Sequence, residues 1–245
     1  MFKNILVNGD SCCHERHFGI DESYIEKTWA YKIGAVNLAI SGSSNDRIFY
    51  STIEYLNHHT VDVLIIGWTN FDRFYLSHSE GFYLNINPGM AGDDFLLGFK
   101  KEDKGKVYKE YYNFWYQHCF NEYLNLKRFC HFYLHLQSYC ELRNIRFLNF
   151  MTMWPIPKGD QLVKISKSAY MSRETKDIEQ QGIKFNKKNI EEMYEKFKTE
   201  HWVDNNVGVV MTEVLKGFPT MSENDFHPGL EASDFWANKI KENLY

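Results

Sequence analysis

The sequence predicts an α/β domain with helices covering both faces of a mostly parallel sheet, and three observations predict it. First, several short runs are apolar throughout instead of alternating, as in Ile5-Leu6-Val7, Val61 to Ile66 and Ile145 to Met151. Strands buried on both faces have that character, because helices cover the sheet on each side. Second, the runs end in glycine or small polar residues: Asn8-Gly9, Ser41-Gly42-Ser43-Ser44 and Gly67. Third, segments of helical spacing lie between them, and strands alternating with helices argue for βαβ units.

Taken in order, Phe2 to Val7 forms the first strand and Asp21 to Ile33 the first helix. Ala35 to Ile40 is the second strand, after which Asn45 or Asp46 caps a helix carrying Ile48, Ile53 and Leu56 on one side. Val61 to Ile66 is a central strand that stops at Gly67. From about Lys106 to Arg143, apolar residues recur at helical spacing through Tyr116, Phe120, Tyr123 or Leu124, Leu126 or Lys127, Cys130 and Leu134, which predicts one long helix. Ile145 to Met151 follows as a strand, closed by Trp154-Pro155-Ile156-Pro157, because Pro155 has no N–H for a ladder. About 155–206 is rich in lysine and glutamate and reads as a lid or insertion with one amphipathic helix around Asn189 to Lys198. Gly229 to Asn243 closes the chain as a helix with Leu230, Phe235 or Trp236, and Ile240 on one side.

The 245 residues, 44% of them hydrophobic, fit one domain spanning 1–245 with that insertion better than two. A formal net charge of -4 with no basic stripe excludes nucleic acid as the expected partner. No window approaches 18 consecutive apolar residues, and the first strand begins too early to leave room for a secretion signal; a soluble protein with no membrane partner is expected. The five cysteines are odd in number and lack zinc-like spacing, which suits a reducing cytosol. Oligomeric state is not legible. Aromatic residues make up 17% of the chain, enough for a thick aromatic core or a ring-walled pocket for sugars or acyl chains.

Parallel sheets place ligands at the carboxyl ends of their strands, and Gly9-Asp10-Ser11, Gly42 and the stretch from Gly67 to Asn70 all fall there. A serine hydroxyl is a weak nucleophile until a base removes its proton, so Ser11 needs a histidine from elsewhere. Asp225-Phe226-His227-Pro228 offers one near the other end of the chain.

With Asn8-Gly9-Asp10-Ser11, Asn37 to Asn45, Gly67-Trp68-Thr69-Asn70 and Asp225-Phe226-His227-Pro228-Gly229 in this order, the chain resembles the SGNH, or GDSL-type, hydrolases over nearly all its length outside the insertion. The resemblance implies a three-layer α/β/α sandwich of flavodoxin-like type and hydrolysis of carboxylic esters through an acyl-enzyme, with no cofactor and no metal. It implies Ser11 as nucleophile, His227 as general base and then acid, and an oxyanion hole made by the backbone N–H groups of Ser11 and Gly42 and a side-chain amide of the third block. The favoured substrate is a small O-acyl group, such as acetyl, on a carbohydrate. Chemically adjacent is an O-acyltransferase using the same site; the rival from another class is an inactive SGNH-fold binding or assembly protein.

Two blocks depart from the family's pattern. Thr69 stands where the third block usually has asparagine and Asn70 follows one later, so Asn70 is the expected donor if the loop has gained a residue. Asn224 stands where the last block has its carboxylate, which makes Asp225 the expected third member of a triad, with Glu223 behind it and a Ser-His dyad as the remaining possibility. Other residues read more plainly. Asp10 is expected to bond the N–H groups of its turn, and Arg73 to pair with Asp72 or Asp46. His131 and His135, four apart, are expected to pack within a helix instead of binding metal, and Cys12-Cys13 to pack beneath the nucleophile's turn.

Overall fold

The computed structural model describes residues 2–14, 22–71, 73–77, 83–86, 122–158, 187–222 and 225–244. Its centre is a four-stranded sheet in the order β2-β1-β3-β6, from β1 (Ile5–Asn8), β2 (Ala35–Asn37), β3 (Val63–Trp68) and β6 (Arg146–Met151). Every pairing is parallel, with Leu6 opposite both Val36 and Leu64, and Ile65 opposite Leu148. In β1 and β3 every residue is buried, as runs without alternation require.

Connection handedness sets the layers. From β1 the chain moves outward to β2 and then returns across β1 to β3, so right-handed crossovers put the two connecting helices on opposite faces. Helix α1 (Trp29–Lys32) packs with the last helix, α6 (Leu230–Leu244), while α2 (Asn45–His58) packs with α3 (Glu122–Leu142). The result is the expected three-layer α/β/α arrangement. Its strand order reverses between β1 and β3, the position at which such sheets open a crevice beyond their carboxyl ends. Two antiparallel hairpins stand apart from the sheet: β4 (Phe74–Ser77) with β5 (Tyr83–Ile86), and β7 (Thr220–Ser222) with β8 (Asp225–Pro228).

Several elements differ from expectation. The helix expected over Asp21 to Ile33 is a 3-10 turn, Glu22–Lys27, followed by the four-residue α1. Strand β2 spans Ala35–Asn37 instead of running to Ile40; beyond it Leu38 N–H still donates to Val7 O and Ile40 N–H to Gly9 O, while the Asn37 side chain braces the stretch, its Oδ1 accepting from Ala39 N–H and its Nδ2 donating to Cys13 O. Ser44, not Asn45 or Asp46, caps α2, its Oγ accepting from Arg47 N–H at 3.4 Å. Strand β3 runs past Gly67 to Trp68, whose indole N–H donates to the buried Asn149 Oδ1 at 2.9 Å. The long helix is described from Glu122 to Leu142, and its expected first part, 106–121, lies outside the described residues. His131 and His135 are exposed on it instead of packed, His135 standing edge-on to Phe49.

The expected insertion is partly core. Residues 159–186 lie outside the described residues, but α4 (Lys187–Tyr194) packs on α3 with Ile190 fully buried, and Trp202 and Val203 are fully buried. Trp202 donates its indole N–H to Tyr133 Oη at 3.0 Å, while bridges from Asn149 to Trp202 and from Met151 to Val210 run parallel to β6. The segment 202–210 thus touches the sheet edge at both ends, with a 3-10 turn, Val203–Asn205, between the two bridges, and leads into α5 (Met211–Val214). Lysines and glutamates at the intervening positions face solvent, which conceals this packing in an average of composition. In the closing helix Trp236 and Ile240 are buried, whereas Leu230 and Phe235 are exposed.

Close backbone approach explains two glycines beneath the site. A Cβ on Gly67 would stand 2.4 Å from Cys13 Sγ and 3.0 Å from the Phe150 ring; one on Gly9 would stand 2.5 Å from the same sulfur and 2.9 Å from Gly67 O. The Cys13 thiol fills the gap between two neighbouring strand ends. Gly67→Ala is therefore expected to destabilise the fold by about 1–3 kcal/mol through overpacking, read as a lower urea midpoint. Adding Cys13→Ala should recover part of the loss, since it removes the nearest atom. Unchanged stability in Gly67→Ala would refute the wedge.

A candidate active site at the carboxyl ends of the strands

Asn8 ends β1 fully buried and anchors the turn after it to α2. Its Nδ2 donates to Ile48 O, Ser51 Oγ and Thr52 Oγ1 of α2, at 2.9 to 3.0 Å, and its Oδ1 accepts from Gly9 N–H. The chain then turns: Cys13 N–H donates to Asp10 O at 3.0 Å and Cys12 N–H to Asp10 Oδ1 at 3.0 Å. Trp29 Nε1 donates to Cys12 O, and Asn37 Nδ2 to Cys13 O. Ser11 sits on this pinned turn, 4% exposed, and neither its N–H nor its Oγ makes a hydrogen bond among the described residues. Its neighbours Cys12 and Cys13 are buried as expected, and burial, reinforced by the Asp10 charge, pushes the Cys13 thiol well above the usual range. A thiol held protonated is no competing nucleophile.

Asp10 is a hub. It is fully buried, and its Oδ2 accepts from Thr69 Oγ1 at 2.8 Å, Thr152 Oγ1 at 2.9 Å and Arg73 Nη1 at 3.1 Å. One carboxylate therefore ties the loop after β1 to the loops after β3 and β6. Bonding within its own turn was legible in the sequence; the links to Thr69, Thr152 and Arg73 were not, because they join residues up to 142 positions apart. The expected partners of Arg73 are corrected here: Asp46 pairs with Arg128 at 3.2 Å, and Asp72 lies outside the described residues. Burial raises the Asp46 carboxyl above its ordinary range despite that partner.

Gly42 lies in the turn closed by Ser43 N–H donating to Ile40 O at 3.1 Å, and its φ of 75° is one that glycine adopts without strain. Its N–H makes no hydrogen bond among the described residues. Asn45, the first residue of α2, clamps the third loop: its Oδ1 accepts from Thr69 N–H and its Nδ2 donates to Thr69 O, both at 3.0 Å. The Gly42 turn and the Thr69-Asn70 loop are thereby held side by side. Thr69 is fully buried with its hydroxyl hydrogen committed to Asp10. The Asn70 side chain, by contrast, makes no hydrogen bond among the described residues, and its Oδ1 is buried.

His227 is half-buried on β8, three residues before α6 begins. That helix is anchored by Trp236, whose ring stands edge-on to Phe150 at 4.9 Å, and Phe150 in turn lies beside Gly67. Ser11 Oγ and His227 are not hydrogen-bonded to each other. Such bonds are often long before substrate binds. The backbone of Asp225 lies on β8; its side chain, and residues Glu223 and Asn224, lie outside the described residues. Among the described residues no group of three His, Cys, Asp or Glu side chains could hold a metal, and no helix is long and apolar enough to cross a membrane.

Solved structures overlap this chain along nearly its whole length at low identity. TesA shares 13% identity over 99% of this chain and 98% of its own, with a TM-score of 0.45. A G-D-S-L family protein described as lipolytic, from Desulfitobacterium hafniense DCB-2, shares 13% over 98% and 99%, with a TM-score of 0.47. The psychrotrophic esterase EstA from Pseudoalteromonas sp. shares 14% over 98% and 96%, with a TM-score of 0.46. No family model and no curated protein sequence matches the chain.

Proposed function

We propose that the chain is a serine-dependent hydrolase of carboxylic esters. One observation carries this reading: beside the pinned Ser11 turn, the N–H of Ser11, the N–H of Gly42 and the Asn70 amide have no protein partner among the described residues, although their surroundings are densely hydrogen-bonded. Donors held ready and unused are what a developing oxyanion requires.

In the proposed reaction Ser11 Oγ attacks the ester carbonyl carbon while His227 takes its proton. Charge gathers on the carbonyl oxygen, which the three donors stabilise. The intermediate collapses with departure of the alcohol, which receives the proton from His227, and leaves an acyl-Ser11 ester. Water, deprotonated by His227, then attacks that ester, and the acyl–oxygen bond breaks as His227 returns the proton to Ser11 Oγ, releasing the carboxylic acid.

The favoured substrate is an O-acetyl carbohydrate. An exposed aromatic face supports a sugar-sized leaving group: Trp154 stands 60% exposed two residues beyond Thr152, whose hydroxyl donates to the Asp10 carboxylate, and aromatic faces suit a carbohydrate. The direct test is a fluorophosphonate probe, which should label Ser11 alone and block turnover of an aryl acetate. An unlabelled serine in the folded protein would defeat the proposal.

The donor assignment has its own test. Asn70→Ala should lower kcat by about a hundredfold or more with KM little changed, as expected for a donor felt only in the transition state. Thr69→Val should act mainly on stability, since its hydroxyl serves Asp10. A Thr69→Val variant that folds normally and turns over more slowly than Asn70→Ala would move the donor to Thr69.

A further inference from the structure

We propose that Arg73 is a positioning and charge-compensating residue of this site, cancelling the charge of Asp10 beside the nucleophile and holding the Asn70 loop in place. The proposal rests on the reading of Ser11 as nucleophile and adds a requirement to it. Asp10 immediately precedes Ser11 and is fully buried, so its negative charge is poorly screened where a negative oxyanion must form. Uncompensated, it would oppose attack by Ser11 and disfavour the intermediate.

Three of its four donors, Cys12 N–H, Thr69 Oγ1 and Thr152 Oγ1, satisfy the carboxylate's lone pairs but bring no charge. Arg73 brings it. Its Nη1 lies 3.1 Å from Asp10 Oδ2, its side chain is only 10% exposed, and its Nη2 stands 3.9 Å from Met153 Sδ. A guanidinium suits this place because it keeps its charge when buried. Arg73 is also three residues past Asn70, so the ion pair ties the end of that loop to the Ser11 turn, while Asn45 holds its beginning at Thr69.

Compensation and scaffolding predict different results when both charges are removed. If Arg73 only braced the loop, Arg73→Met and Asp10→Asn would inflict separate losses, and the double variant would be the slower protein. If it cancels charge, Arg73→Met leaves a bare carboxylate beside the oxyanion, and Asp10→Asn removes that carboxylate. The double variant is then the faster one. Asparagine can be accommodated there, because Thr152 Oγ1 also lies 3.1 Å from Trp68 O and can donate to it instead.

The experiment measures kcat and KM on an aryl acetate, the rate of fluorophosphonate labelling, and urea midpoints for wild type, Ser11→Ala, Arg73→Met, Arg73→Lys and Arg73→Met/Asp10→Asn. Arg73→Met should lose on the order of ten- to a hundredfold in kcat and labelling rate, with KM within about twofold. The double variant should regain at least about tenfold of that loss. Wild-type turnover in Arg73→Met, or a double variant as slow as Arg73→Met or slower, overturns the proposal. Should Arg73→Met fail to fold, Arg73→Lys, which keeps the charge, must be faster than the double variant, and the reverse order overturns it. Turnover that survives Ser11→Ala defeats the hydrolase reading and this proposal together; turnover that depends on Ser11 but ignores Arg73 defeats this proposal alone.

Discussion

Replacing Ser11 with alanine should abolish ester turnover, by about a thousandfold or more in kcat, while leaving the urea midpoint nearly unchanged. The two halves of that expectation come from different facts. Oγ makes no hydrogen bond among the described residues, so its loss leaves no buried partner stranded and costs little stability. The turn around it is held by other groups: Asp10 O and Oδ1 accept from Cys13 and Cys12 N–H, Asn37 reaches Cys13 O, and the Cys13 side chain is wedged between Gly9 and Gly67. Alanine therefore sits on the same scaffold without the nucleophile. Kinetics and a melt on one preparation check both halves. Turnover that persists in the folded variant would make Ser11 a turn residue and return the chain to the binding-protein reading.

What could be read in the sequence was whatever depends on neighbours along the chain. The parallel strands were legible because burial on both faces leaves continuous apolar runs, and the ends of those runs located three site loops at one edge. Interactions between distant residues left no such trace. Nothing in Arg73 or its neighbours indicates that its guanidinium crosses to Asp10, 63 positions away, so local pairing with Asp72 or Asp46 was the natural expectation. Trp202 and Val203 were hidden for a related reason: they are buried where the chain bridges to β6, within a segment whose average composition is polar. The Ser44 cap had a local signal, since serine before a helical run is a common cap, but the asparagine and aspartate after it carried the same one. Asn45 was then free for the task that the geometry gives it, clamping Thr69. Thr69 and Asn70, ambiguous as neighbours in the sequence, are distinguished by their environments, since only Thr69 is bonded to Asp10.

The last block gives the other large expected effect. Asp225→Asn should lower kcat by about ten thousandfold, far more than Asn224→Ala, because a carboxylate both fixes the histidine tautomer and stabilises the imidazolium that forms when His227 takes the Ser11 proton. An amide does only the first of these, and it can select the wrong tautomer. Asp225 lies on β8, two residues before His227 on the same strand. Rates for Asp225→Asn, Asn224→Ala and Glu223→Gln, measured on one ester beside His227→Ala, decide among the arrangements. A dominant loss at Asp225 supports the triad as proposed, a dominant loss at Asn224 overturns it, and small effects at all three with inactivity of His227→Ala leave a Ser-His dyad oriented by the backbone.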